Sequence, residues 1–483
     1  MLKKTIKIHD KFSIVINVTY DKIFKRKISE YTSITYLFFP DSLNINNNTY
    51  PSTKFYNDVR LFIKYNTPNY KINEIIEKAD SPLVKLEKQT KKFIKNNSTK
   101  NSLLYEDQVK MFASIFSSLL SKQTDKFLTI QKLSFIKIDD YLDIISKILT
   151  KYRVLVDKTA TSSLHLDSKR FIYYADEHIS NVVELQMTRL YNYLQDQFSE
   201  KELISIIKII DFEQKYKKKK AYSSPKDKSI RSEELLYKRN QLKKYIDSVF
   251  FLKQEIRKDG TVLEQTLLAI SAGFAMVFST GIAFYFQQYY GNFTTPFFIA
   301  LVVGYMLKDR IKGVMSMLFV SKSSSLFYDY KIKITNSLDK KIGLFKESFA
   351  FIPFNKLGLA ITKYRFKDRI INTKSLREQI IQYKKKVIIY PEKFGNDLPD
   401  EDIVSLTDIT RFNFQRFIQY MDDPEKDFIL VKKGEIHNKV ADKVYPINII
   451  QKYFTKEGIE FNRFRIIMSR NGIKRIEKVS IFD

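Results

Sequence analysis

Histidine, cysteine and clustered carboxylates build most active sites, and this chain is sparing with them. It has four histidines, His9, His165, His178 and His437, and no cysteine. Without a thiol there is no disulfide, no Cys-ligated zinc, no iron–sulfur cluster and no thiol nucleophile. None of the histidines falls in an HExxH pattern or a repeated spacing. The densest polar group is Asp176–Glu177–His178, with His165 and Asp167 upstream. Such a set could hold a metal or trade protons. On a helix, however, adjacent residues point about 100° apart, so Asp176 and His178 do not converge easily. A solvated helix face is the expectation. Asp139–Asp140 and Asp422–Asp423 are paired acids without a partner motif, and Asp422–Asp423–Pro424 reads as a turn. Glycines number only 12, and no GxxxxGK[ST], GxGxxG or GxSxG occurs. The common phosphate cradles and the nucleophile elbow are therefore missing. No catalytic residue, metal ligand or cofactor follows from these residues, and catalysis stays unassigned.

The stretch that does stand out is apolar. Between Glu264 and Lys308 there is no Asp, Glu, Lys, Arg or His. A run of that kind is a membrane signal. A first span is expected from Thr266 to Phe286, a break at Gln288–Pro296 where Gly291, Asn292 and Pro296 are turn formers, and a second span from Pro296 to Leu307. The second is short, and a re-entrant segment is its alternative. Lys253, Arg257 and Lys258 precede the run, and Lys308, Arg310 and Lys312 follow it. The positive-inside rule puts both flanks in the cytoplasm and the turn outside, with Tyr285, Tyr289 and Tyr290 at the outer headgroups. Ser271, Ala275, Ser279 and Ala283 are four apart, and Ala300 and Gly304 repeat the spacing. Small side chains on one face let backbones approach. They form a packing face, either between the two arms, the favoured reading, or between protomers.

The run through Ala272, Gln287–Gln288, Tyr290–Gly291–Asn292, Pro296–Phe297, Ala300–Met306 and Lys308–Asp309–Arg310–Ile311–Lys312 resembles the hairpin of a group of uncharacterised bacterial two-span membrane proteins. The resemblance is confined to the hairpin. It implies membrane placement and a bacterial source, and no activity.

The net charge is +29. Lys, Asn, Ile, Tyr and Phe are abundant together while Trp is absent, the joint bias of an AT-rich genome, so part of the Lys excess is codon drift. The rest suits an anionic inner leaflet, where each nearby cation gains about 1 kcal/mol. Lys217, Lys218, Lys219 and Lys220, with Arg257, Lys258, Lys308, Arg310 and Lys312, are the candidate lipid contacts. No dense Arg/aromatic stripe supports nucleic-acid binding. A protein partner is expected but not identified, and homo-oligomerisation stays open. The N-terminus reads as a strand, with no signal peptide.

In chain order, alternating apolar residues predict a β-rich unit over residues 1–66. Stripes such as Val109, Phe112, Ala113, Phe116, Leu119 and Leu120 predict a helical region over 67–211. A basic linker follows at 212–230 and a juxtamembrane helix at 231–260, where Leu235, Leu242, Val249 and Ile256 recur every seven residues. The transmembrane hairpin takes 261–308. A mixed region spans 309–400, and a β-containing unit closes the chain at 401–483, with Asn471–Gly472 as a two-residue turn. The expected fold is thus an α+β membrane protein with a two-helix transmembrane hairpin, helices on its N-terminal side and β-units at both chain ends. The function class is an inner-membrane-anchored cytoplasmic binding protein, a scaffold, sensor or assembly platform with both termini in the cytoplasm. The alternatives are a membrane-tethered enzyme acting on lipid, nucleotide or nucleic acid, and an oligomeric pore.

Overall fold

A computed structural model describes residues 2–21, 28–130, 135–222, 231–324, 327–336, 339–366, 378–393, 405–432 and 435–479. The N-terminal segment forms β1 (Lys3–Asp10), β2 (Ser13–Asp21), β3 (Ser29–Pro40), the short helix α1 (Ser52–Asp58) and β4 (Val59–Tyr65). Six helices and a single turn follow: α2 (Glu74–Glu77), α3 (Pro82–Lys95), α4 (Thr99–Thr129), α5 (Phe135–Thr161), α6 (Leu166–Leu194), α7 (Glu200–Lys219) and α8 (Ser232–Asp247). Their starts are written locally. Ser81 caps α3 ahead of Pro82, Ser98 caps α4, and Glu202 reaches back to the Ser199 backbone N–H at 2.9 Å ahead of α7. Next come β5 (Lys253–Lys258) and two 30-residue helices, α9 (Thr261–Tyr290) and α10 (Thr295–Ser324). The chain ends with β6 (Tyr330–Thr335), β7 (Lys341–Phe351), α11 (Leu359–Phe366), β8 (Glu378–Ile389), β9 (Ser405–Asn413), α12 (Gln415–Ile418), β10 (Glu425–Lys432), β11 (Glu435–Asp442), β12 (Tyr445–Thr455), β13 (Gly458–Ser469) and β14 (Gly472–Lys478).

Strands from the two chain ends share sheets. One sheet has the order β1-β2-β9-β4, the other β14-β13-β12-β3-β8-β7-β6-β5. All registered pairs are antiparallel. The sheets are also stitched at both edges. Leu252 N–H donates to Ile63 O at 2.9 Å on one side, and Ile473 N–H donates to Lys11 O at 2.8 Å on the other. Their inner faces enclose Tyr31, Phe39, Phe55, Tyr383, Phe412 and Tyr453, all buried. The β10–β11 ribbon stands apart as its own two-stranded sheet. In the helical region, Phe112 stacks on Tyr152 with centroids 5.0 Å apart, tying α4 to α5.

The expected two-helix transmembrane hairpin is not supported. Among the described residues only α9 is long and apolar enough to cross a membrane. α10 is as long, but its apolar run stops at Leu307, and Lys308, Asp309, Arg310 and Lys312 follow at once. Thirteen helical residues rise about 20 Å, short of the roughly 30 Å of a hydrocarbon core. Length was there; apolar length was not.

Three boundaries also move. α7 continues to Lys219, so the basic run from Lys215 is helical; the rest of that linker, residues 223–230, lies outside the described residues, as do 367–377 and 394–404 further on. α8 stops at Asp247, and Ile256 sits in β5, because Lys253–Lys258 pairs along its length with β6. The C-terminal β-hairpin turns on Arg470–Asn471, since Ser469 pairs with Gly472. Gly472 is fixed there by a close approach: a Cβ would lie 2.5 Å from Lys11 O, and its φ is +119°.

Candidate functional site

The most distinctive surface is the α9–α10 pair. The small residues line its seam: Ser271, Ala275, Ala300 and Gly304 are buried, and Ser279 and Ala283 half-buried. A Cβ at Gly304 would stand 3.5 Å from Ser279 Oγ, so the two backbones run close together. Ile282 also reaches the seam beside Gly304, but most larger side chains point away. Val277 is 72% exposed, Phe284 66%, Phe298 66%, and Phe293 at the tip fully so. An apolar surface of this extent marks a site of contact with a membrane or with another protein.

The root of the pair is clasped to the eight-stranded sheet. Gly260 begins α9 with φ +77°, and a Cβ there would sit 2.8 Å from the Phe327 ring. Asp259 takes Lys346 Nζ at 2.8 Å, and Tyr56 OH donates to Asp329 at 2.6 Å. Because β5 leads into α9 and β6 follows α10, and these strands are hydrogen-bonded neighbours, the chain leaves and rejoins the sheet at one place.

Of the expected lipid contacts, Arg257, Lys258, Arg310 and Lys312 are exposed beside the helix pair, and Lys308 lies 4.0 Å over the Tyr305 ring. Lys218 and Lys219 are exposed on α7, and Lys220 pairs with Asp157 at 2.9 Å. Lys217 departs from the expectation. Its side chain is wholly buried against Glu184 on α6, because the helix continues past it and turns that position inward. Burial pushes its ammonium pKa down, against the upward pull of Glu184.

The helical region conceals a polar seam. Asp176, Ser180 and Glu184, four apart on α6, face α7. Tyr216 OH and Tyr222 OH donate to Asp176 at 2.8 and 2.9 Å, and Ser180 Oγ donates to Glu213 at 2.5 Å. Arg153 from α5 pairs with Glu213 at 2.7 Å and lies 3.6 Å over the Tyr216 ring. Burial raises the Asp176 pKa, partly offset by Arg153. The solvated face expected around Asp176–His178 is thus interior. His178 lies on the side toward Asp247 and Lys243, and burial pushes its pKa down to about 4. Alongside Arg153 opens a cavity of about 580 Å³ between α5 and α7, with Leu149, Val154 and Phe212 in its wall and Lys208 and Lys219 at its rim. It could seat a small amphipathic molecule: apolar walls, a ring face and a mixed-charge rim.

A second buried centre lies between the sheets. Lys385 Nζ donates to Asp408 at 2.5 Å and to Thr410 at 2.7 Å, and Tyr31 OH donates to Asp408 at 2.7 Å. Glu347 lies in the same interior, where burial raises its pKa to about 7 against the opposing charge of Lys385. Burial also raises the Asp408 pKa, with Lys385 again opposing. The space beside them is about 10 Å³, room for a single water and no substrate. An enclosed, paired centre of this kind fixes how the two sheets meet.

Arg153, Glu213, Glu347, Lys385 and Asp408 belong to no sequence motif. For Lys385 a signal existed: alternation along β8 buries Ile381, Tyr383, Val387 and Ile389, and Lys385 falls in phase with them. For Arg153 and Glu213 none did, since their partners come from other helices. Compared with protein-family models, with curated proteins and with solved structures, the chain matches none.

Proposed function

We propose that the chain is a bacterial membrane protein that acts by binding. It is a platform at the cytoplasmic face of the plasma membrane, held there by α9, which among the described residues is the one helix long and apolar enough to cross a membrane. The observation that carries this reading is the exposed apolar surface of α9, on which no Asp, Glu, Lys, Arg or His occurs from Gln265 to Tyr290. α9 and α10 leave and rejoin the body at one place, because β5 and β6 are adjacent. β1 and β14 belong to the same body, so both termini share that side. Exposed Arg257, Lys258, Arg310 and Lys312 favour the cytoplasmic side and anionic lipid. The sheets and the helical bundle are then left free to engage a protein partner.

Membrane fractionation tests the reading. Wild-type protein should stay in the pellet after an alkaline carbonate wash, and Val277→Asp/Phe284→Asp should shift it to the supernatant. Release of the wild type by carbonate would contradict membrane insertion.

A further inference from the structure

The outer face of the eight-stranded sheet carries a run of like charges. Arg257 is registered opposite Lys331, Lys331 opposite Lys346, and Lys346 opposite Lys386. Four cations therefore stand side by side on four adjacent strands, about 4.8 Å apart from strand to strand. Like charges directly opposite each other destabilise a sheet. Lys333 and Lys384 lie two residues along on the same face, so six cations share it. The opposite face is the buried one, with Ile332, Ile334, Tyr383 and Val387. Carboxylates answer only part of the charge. Among the described residues Glu255 pairs with both Arg257 and Lys333, Lys346 pairs with Asp259 at 2.8 Å, and Lys386 with Glu30 at 3.5 Å. Cations outnumber these acids two to one.

Position identifies the occupant. Asp259, immediately before α9, pairs with Lys346 from this face. Tyr328, shortly after α10, lies 5.8 Å from Lys346 Nζ and 5.1 Å from Lys384 Nζ. The helix pair therefore roots on the charged side of the sheet. The root of α9 thus lies beside the cations.

We propose that the Arg257–Lys331–Lys346–Lys386 ladder, with Lys333 and Lys384, is a docking face for anionic lipid headgroups. It rests on the reading of α9 as membrane-inserted. The headgroup phosphates relieve the repulsion between rungs, and the inserted α9 holds the sheet close enough for them to do so. A long single-stranded nucleic acid is the competing polyanion, but nothing in its chemistry calls for the apolar pair at the ladder's end.

The test uses full-length protein in mild detergent, mixed with vesicles and read by flotation. One vesicle set is neutral phosphatidylcholine; the other is one-third phosphatidylglycerol. Wild type is compared with Arg257→Gln/Lys331→Gln/Lys386→Gln. Each basic side chain near an anionic surface is worth about fivefold, so the triple variant should bind anionic vesicles about 100-fold more weakly. Its binding to neutral vesicles should not change. It should melt no lower than wild type, since like charges have been removed and exposed ion pairs add little. Equal binding of the two proteins to anionic vesicles overturns the ladder as a lipid site. So does a variant that keeps anionic-vesicle binding and loses affinity for a single-stranded oligonucleotide. Wild type that floats with neither vesicle overturns the underlying insertion reading instead, so the two failures are distinct.

Discussion

Glu347 and His178 are both held uncharged by burial, and their pH dependences run in opposite directions. Glu347 has a pKa of about 7 in the folded protein against 4.5 for the free side chain. Between those values the native state binds more protons than the unfolded one, so its contribution falls as pH rises. His178 has a pKa of about 4 against 6.5. Between those values the native state binds fewer protons, so its contribution falls as pH drops. The two slopes oppose each other from about pH 4.5 to 6.5. Glu347→Gln should therefore gain on wild type by on the order of 3 kcal/mol as pH rises from 4.5 to 7. His178→Gln should gain on wild type by a similar amount as pH falls from 6.5 to 4. Urea unfolding across that range checks both, and curves parallel to wild type would refute the burial argument. Neither burial was legible in the sequence. Polar residues at Asp176, Ser180 and Glu184 share one helical face, which ordinarily faces water. Here α7 covers that face with Glu213 and Lys217, so polar matches polar inside the bundle.

At the scale of elements, α9 and α10 show what local pattern can carry. The apolar run, its break near Gly291 and the small-residue stripe were all legible, because each depends on residues close in sequence. Span status was over-read for α10, because the charges from Lys308 onward fall inside the same continuous helix. β5 was read as helix for a related reason. Its apolar residues fit a seven-residue spacing, and only the distant β6 makes it a strand. The junction between β5 and α9 depends on one conformation. Gly260 is left-handed, and its missing Cβ leaves room for the Phe327 ring. Gly260→Ala should cost about 1–2 kcal/mol from handedness alone. Adding Phe327→Ala should relieve the clash and leave that cost in place. Gly304→Ala, whose nearest neighbour would be 3.5 Å away, should be tolerated. Thermal melts of the variants decide, and an unaltered Gly260→Ala would count against a fixed root.

The whole molecule brings the chain's two ends together. β3 lies between β12 and β8, and β2 beside β9, so neither terminal unit has a complete sheet of its own. Alternation marked the strands of both ends, but pairing across hundreds of residues leaves no local trace, so the shared sheets could not be read in advance. The same holds for the Lys385–Asp408 centre, which exists only where the sheets meet. The result is a body with a stitched double sheet, a helical bundle and one exposed apolar projection. Insertion of that projection is the central claim, and the absence of native cysteine makes it directly measurable. Nitroxide labels would be placed singly at Val277, Phe284, Val302 and Lys456 of the protein in lipid vesicles, and their collisions with oxygen and with a polar nickel chelate compared. Labels at Val277, Phe284 and Val302 should collide mainly with oxygen, and the label at Lys456 mainly with the chelate. Labels at Val277 and Phe284 as open to the chelate as Lys456 would contradict the membrane account and leave the helix pair to a protein partner.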